Sequence, residues 1–163
     1  MILQNCEIWY AKLNPKRPNR RLNKENPTWE VQLRTTDKNV KKDWEDKNLN
    51  VRAIVPDEGE PYFRVNLKRK SLKADGTPNN PPEAVYGKGK PVDVDTIGNG
   101  SIANVRIWQY EYTDKLGKKG IASILDAIQL VKHIVFERNF EEEDFEEIET
   151  EIVTPETEVE EDF

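Results

Sequence analysis

The chain has one cysteine, one histidine and one methionine in 163 residues. A single thiol excludes an internal disulfide and fits a reducing compartment. One thiol with one imidazole also falls short of a Cys/His zinc site. No run of about 18 apolar residues occurs, which excludes a membrane-spanning helix. The opening Met1-Ile-Leu-Gln-Asn-Cys6 lacks the basic stretch and apolar core of a secretory signal. Catalytic constellations are absent too. His133 has no nucleophile at a motif spacing and reads as a surface or edge-strand histidine. Gly98-Asn99-Gly100-Ser101 lacks the lysine and spacing of a phosphate loop and reads as a turn. Asp93 and Asp95 alternate on a strand face, where solvation is a better account than a cation. The expectation is a chain that catalyses nothing and holds no cofactor or metal.

The most informative absence is local. Residues 141–163 contain thirteen carboxylates, no lysine or arginine, and end on Phe163. Without them the chain keeps 18 of its 31 acids against all 25 bases, so a net charge of −6 becomes +7. Like-charge blocks are commonly disordered interaction tails. The sequence therefore divides into one domain, residues 1–138, and a disordered acidic tail, residues 139–163.

Within the domain, alternation predicts mostly strands. Residues 2–13 place Cys6, Ile8 and Tyr10 on a core face and Glu7, Trp9 and Ala11 opposite. Residues 14–27 form a proline-broken basic loop with Lys16, Arg17, Arg20, Arg21 and Lys24. Residues 29–35 bury Trp29, Val31 and Leu33 and turn Glu30, Gln32 and Arg34 outward. Thr36 or Asp37 caps a short helix to about residue 47, with Val40 and Trp44 one turn apart. Residues 51–55 and 62–70 form a hairpin; Phe63, Val65 and Leu67 face the core, and Tyr62, Arg64, Asn66, Lys68 and Lys70 face away. Residues 75–91 are a long Gly/Pro/Asn-rich excursion, and 92–97 are extended. Residues 102–112 send Ala103, Val105 and Ile107 inward and Asn104, Arg106, Trp108, Tyr110 and Tyr112 outward. A helical turn over 121–127 and a closing strand to about 136 complete an all-β domain of five or six strands.

Aromatic and basic residues coincide on the outward faces: Trp9, Tyr62, Arg64, Lys68, Arg106, Trp108, Tyr110 and Tyr112, beside the basic loop. Single-stranded nucleic acid calls for this pairing, because bases stack on rings while cations follow the phosphates. For any one ring, burial in a two-sided core is an equal alternative. The coincidence favours binding for the set. A groove-reading helix is disfavoured, since the helical segment carries Asp43, Glu45 and Asp46.

Asp95-Thr-Ile-Gly-Asn-Gly-Ser101, the basic alternating strand after it and Gly120-Ile-Ala…Leu125-Asp-Ala-Ile-Gln-Leu-Val131 resemble the C-terminal half of phage single-stranded DNA-binding proteins of the gene 2.5-type family of short-tailed phages. The ending Glu160-Glu161-Asp162-Phe163 resembles that family's acidic, aromatic-terminated tail, and Trp29-Glu-Val-Gln-Leu33 fits its second strand. The resemblance covers most of the chain. It implies an OB-fold, a five-stranded Greek-key barrel, with one or two short helices. It also implies sequence-tolerant binding of single-stranded DNA in phage replication, recombination and repair, in the cytoplasm of the infected bacterium. The tail would compete for the DNA cleft and recruit the phage DNA polymerase and helicase-primase through Glu158, Glu160, Glu161, Asp162 and Phe163. A homodimer stays open. The DNA-binding set, chosen by alternation, is Trp9, Lys16, Arg17, Arg20, Arg21, Arg34, Tyr62, Arg64, Lys68, Arg106, Trp108, Tyr110 and Tyr112. Two other classes remain: a DNA-mimicking phage inhibitor that acts through the tail, and an RNA-binding OB module.

Overall fold

The computed structural model describes residues 1–21 and 23–136. The tail, with Glu158, Glu160, Glu161, Asp162 and Phe163, lies outside the described residues.

Unbroken alternation over Thr28–Thr35 (β2) and Tyr62–Lys70 (β4) zips these strands together antiparallel, from Thr28 opposite Lys70 to Thr35 opposite Phe63. Ile2–Lys12 (β1) pairs with β2 on one side and with Ser101–Thr113 (β7) on the other. Strand β7 pairs antiparallel with Lys119–Lys132 (β8). A single parallel contact, Lys68 opposite Ile124, returns β8 to β4 and closes a five-stranded barrel. Its order, β1-β2-β4-β8-β7, is the OB arrangement expected from the sequence. The short Arg52–Ile54 (β3) extends the sheet beside β4. The long Gly/Pro/Asn-rich connection carries Glu83–Tyr86 (β5), parallel to β8, and Lys90–Pro91 (β6).

The barrel interior collects one face of each strand. Ile8, Val31, Leu33, Val65, Leu67, Val105, Leu125 and Ile128 are all essentially inaccessible to solvent. The helix Lys38–Asp46 (α1) begins where the Asp37 carboxylate accepts from the Asn39 amide at 2.8 Å, and buries Trp44 against this core.

Four expectations change. Residues 92–97 are not extended throughout: the Asp93 carboxylate caps the Asp95 amide at 3.2 Å and tightens Val94–Thr96 into a 3-10 turn. Residues 121–127 are not helical, because β7 offers backbone partners along the whole of β8. The register slips between Arg106 and Ile107, so Leu125 and Ile128 both point inward across a bulge. That three-residue spacing imitates a helix in the sequence.

In β1, Asn5 and Tyr10 adopt left-handed backbone, with φ of 52° and 51°. Tyr10 is consequently 53% exposed instead of following Cys6 and Ile8 into the core. His133 is half-buried and ties three segments together. Its Nδ1 meets the Tyr86 hydroxyl, and its Nε2 lies 3.0 Å from the Thr96 carbonyl oxygen.

Cys6 is the small buried residue its position suggested, and burial pushes its thiol pKa up to about 12. The native protein is therefore expected to react with iodoacetamide at pH 8 at least about a hundredfold more slowly than the urea-unfolded chain. Equal rates would show that Cys6 is not held in the core.

Candidate nucleic-acid interface

The outer face of β1, β2 and β4 is laid out in rows by the strand register. One row runs Glu7, Arg34, Arg64 and on to Arg52 of β3. The next runs Trp9, Gln32, Asn66, and a third runs Lys12, Glu30, Lys68. Period-two alternation puts these side chains outward because their neighbours Ile8, Val31, Leu33, Val65 and Leu67 fill the barrel.

Arg34 is the hub. Its guanidinium carbon lies 3.9 Å from the Trp9 ring centroid, 4.3 Å from that of Tyr62 and 5.3 Å from that of Tyr10. Its Nε donates to Gln32 Oε1 at 2.6 Å, and Gln32 in turn donates to Asn66 Oδ1 at 3.1 Å. Trp9 Nε1 donates to Glu7 Oε1 at 3.1 Å. Each cation–π contact contributes about 0.5–2 kcal/mol, depending on how far it is desolvated. Three rings are thus held around one planar cation on an open sheet face.

A groove of about 460 Å³ runs beside this cluster, with Tyr10, Lys12, Arg21, Gln32, Asn66 and Lys68 along it. Loop 13–27 forms its rim. Asn19, only 6% exposed, fixes that loop by pairing with Thr28 and by donating to Glu30 Oε1 at 2.7 Å. Its own Oδ1 accepts from the Arg21 amide at 3.0 Å, which sets Arg21 at the groove. Arg20 is exposed beside it. Lys16 and Arg17 are exposed on the other limb of the loop, and Arg17 pairs with Asp95 at 3.2 Å.

The aromatics of β7 lie apart from the hub. Trp108, Tyr110 and Tyr112 are 61%, 43% and 46% exposed on the β7–β8 ribbon, and the Trp108 and Tyr110 rings sit 5.3 Å apart. Tyr112 lies over Gly120, where any Cβ would meet the ring at 2.6 Å. Arg106 is opposite Ile2, seven residues and so roughly 20 Å along β1 from Trp9. It forms a 2.5 Å ion pair with Asp126. Lys68 connects the two groups: it pairs with Ile124, which pairs with Trp108, two strand spacings or roughly 10 Å away.

Of the residues singled out in the sequence, the fold gathers Trp9, Arg21, Arg34, Tyr62, Arg64 and Lys68 on one face. Trp108, Tyr110 and Tyr112 form a second aromatic group, and Arg106 and Arg17 each pair with a carboxylate, Arg106 with Asp126 at 2.5 Å and the more exposed Arg17 with Asp95 at 3.2 Å. Sequence reasoning passed over Gln32, Asn66 and Lys12, although the first two share the alternation phase of Arg34 and Arg64. It also misplaced Tyr10. The left-handed backbone that exposes Tyr10 is braced by Asn99, whose Oδ1 accepts from the Tyr10 amide at 2.8 Å. For a tyrosine that conformation costs about 1–2 kcal/mol.

No protein-family model and no curated protein matches the sequence. Solved structures do match the fold. The single-stranded DNA-binding protein of bacteriophage Enc34, solved in complex with single-stranded DNA, superposes with a TM-score of 0.57 at 15% identity, over 82% of this chain and 86% of that one. The same phage protein solved without a stated ligand gives a TM-score of 0.54 at 14% identity, covering 84% and 83%. The single-stranded DNA-binding protein gp2.5 of bacteriophage T7 gives 0.50 at 14% identity, covering 94% and 99%. The chain thus has the fold of these phage single-stranded DNA-binding proteins.

Proposed function

We propose that the protein binds single-stranded DNA with little regard to sequence, through the outer face of β1, β2 and β4. The observation that carries this reading is the Trp9–Arg34–Tyr62 cluster, with Arg64, Lys68 and Arg21 around it. Rings supply stacking surfaces that every base can use, and the cations supply phosphate contacts that no base sequence alters. The face includes the second and third barrel strands, the part of an OB-fold that takes oligonucleotides, and the loop after the first strand, residues 13–27, borders it. The Enc34 protein, which shares the fold, was solved with single-stranded DNA bound.

In this reading the protein acts by coating and protecting displaced strands during phage DNA replication, recombination and repair in the host cytoplasm. The acidic tail competes for the same face, and its end, with Phe163, docks the polymerase and helicase-primase. Salt dependence tests the electrostatic half. Log affinity for oligo-dT is expected to fall linearly with log salt, by about 0.7 per phosphate neutralised. With Arg21, Arg34, Arg64 and Lys68 all engaged, the slope should lie near −3 by the same rule. A slope indistinguishable from zero would remove phosphate contacts from the mechanism.

A further inference from the structure

A second, larger recess adjoins the groove described above at Tyr10 and Lys12. It has a volume of about 790 Å³, and Tyr10, Asn14, Arg17, Asp95 and Phe136 contribute to its walls. Ligand pockets commonly span about 300–1,000 Å³, so a nucleotide fits this space with room for water. Tyr10 and Lys12 line both cavities, so the two meet there.

Each wall is fixed by its own hydrogen bonds. The Asn99 side chain holds Tyr10 in its left-handed conformation, with the ring outward. Asp95 accepts from Asn14 Nδ2 at 3.0 Å and from Arg17 at 3.2 Å, which holds the guanidinium at the recess while the Arg17 side chain stays 72% exposed. Phe136 is 56% exposed, yet its amide is anchored on the Thr96 carbonyl at 2.7 Å. Two exposed rings and an exposed arginine, the last held by Asp95, surround one opening and repeat, on a smaller scale, the ring-and-arginine pairing of the sheet face.

We infer that this recess is a nucleotide subsite continuous with the sheet face, where an unpaired base is received beside Tyr10 and Phe136 and its phosphate meets Arg17. Tyr10 is the ring shared by both parts of the path, with Lys12 beside it. The inference rests on the single-stranded DNA reading and extends it to a site that strand alternation does not show.

The test uses the full chain and oligo-dT of increasing length, with 2-aminopurine placed at either end. Phe136→Ala is expected to weaken binding of long oligonucleotides about 5- to 150-fold, the range for one lost stacking partner. Short oligonucleotides that fill only the sheet face should bind Phe136→Ala as they bind the wild type. The quenching of 2-aminopurine at one end, seen with the wild type, should be lost. Because Phe136 is exposed, its loss leaves the core intact, and an unchanged melting temperature verifies this. Tyr10→Ala is expected to weaken both length classes. If Phe136→Ala binds every length as the wild type does, the subsite is wrong while the sheet-face reading stands. If the wild type binds no oligonucleotide, both fall together.

Discussion

Replacing Trp9 and Tyr62 together by alanine is expected to weaken binding of oligo-dT by about two to three orders of magnitude. A stacked base contributes about 1–3 kcal/mol through its ring, and every 1.4 kcal/mol is tenfold. The two losses should not simply add, because both rings pack on the same guanidinium, that of Arg34. In the free protein that planar cation lies at stacking distance from both rings, so the spacing is set before any base arrives. Such preorganisation lowers the entropy lost on binding. The double variant removes no charge, so its salt slope should match the wild type, whereas Arg34→Ala or Arg64→Ala should each flatten it by about 0.7. Both rings lie outside the barrel, so the core stays intact, and the loss of two cation–π contacts on Arg34 should lower the melting temperature by only a few degrees. A double variant that binds within about threefold of wild type would put the bases elsewhere, and the Trp108–Tyr110 ribbon would be the next surface to test.

How much of this the sequence discloses depends on where the backbone stays regular. In β2 and β4 the register runs without a slip, and period-two alternation alone assigns Arg34, Tyr62, Arg64 and Lys68 to the outer face. In β1 the alternation fails twice, at Asn5 and Tyr10. The causes are the side-chain oxygens of Asn104 and Asn99, which accept from those two amides across 99 and 89 residues of chain. Nothing local in residues 2–12 announces a brace that distant, so Tyr10 reads as core. Strand β8 misleads in the opposite direction, since its bulge near Asp126 gives a helical spacing to residues that are entirely in a sheet. The fold class survives these errors because closure depends on the burial of five strands. The site suffers more, because a single flipped ring changes which groove is lined. His133 shows the same limit: its partners, Tyr86 and Thr96, are 47 and 37 residues away.

Deleting residues 141–163 is expected to tighten binding of single-stranded DNA by about 10- to 100-fold at low salt. The deletion removes thirteen carboxylates and takes the chain from a net −6 to +7. A tethered segment competes at an effective concentration of about 1 mM when its linker is short and flexible. If the free tail binds the basic face with a dissociation constant of about 10–100 µM, only about 1–10% of the protein presents an open site. Phe136 lines the recess that Tyr10 and Arg17 also line, and only four residues separate it in sequence from the first residue of the deleted segment. Competition between a polyanion and DNA for the same cations is screened by salt, and the gain on deletion should shrink as the Debye length falls to about 3 Å near 1 M. Charge must be separated from length. A full-length variant with Glu156, Glu158, Glu160 and Glu161 changed to glutamine keeps the tether and should recover part of the gain. Equal or weaker binding after truncation would mean that the tail does not visit the DNA face. Its carboxylates would then act only on other proteins, and the basic face would be open at all times.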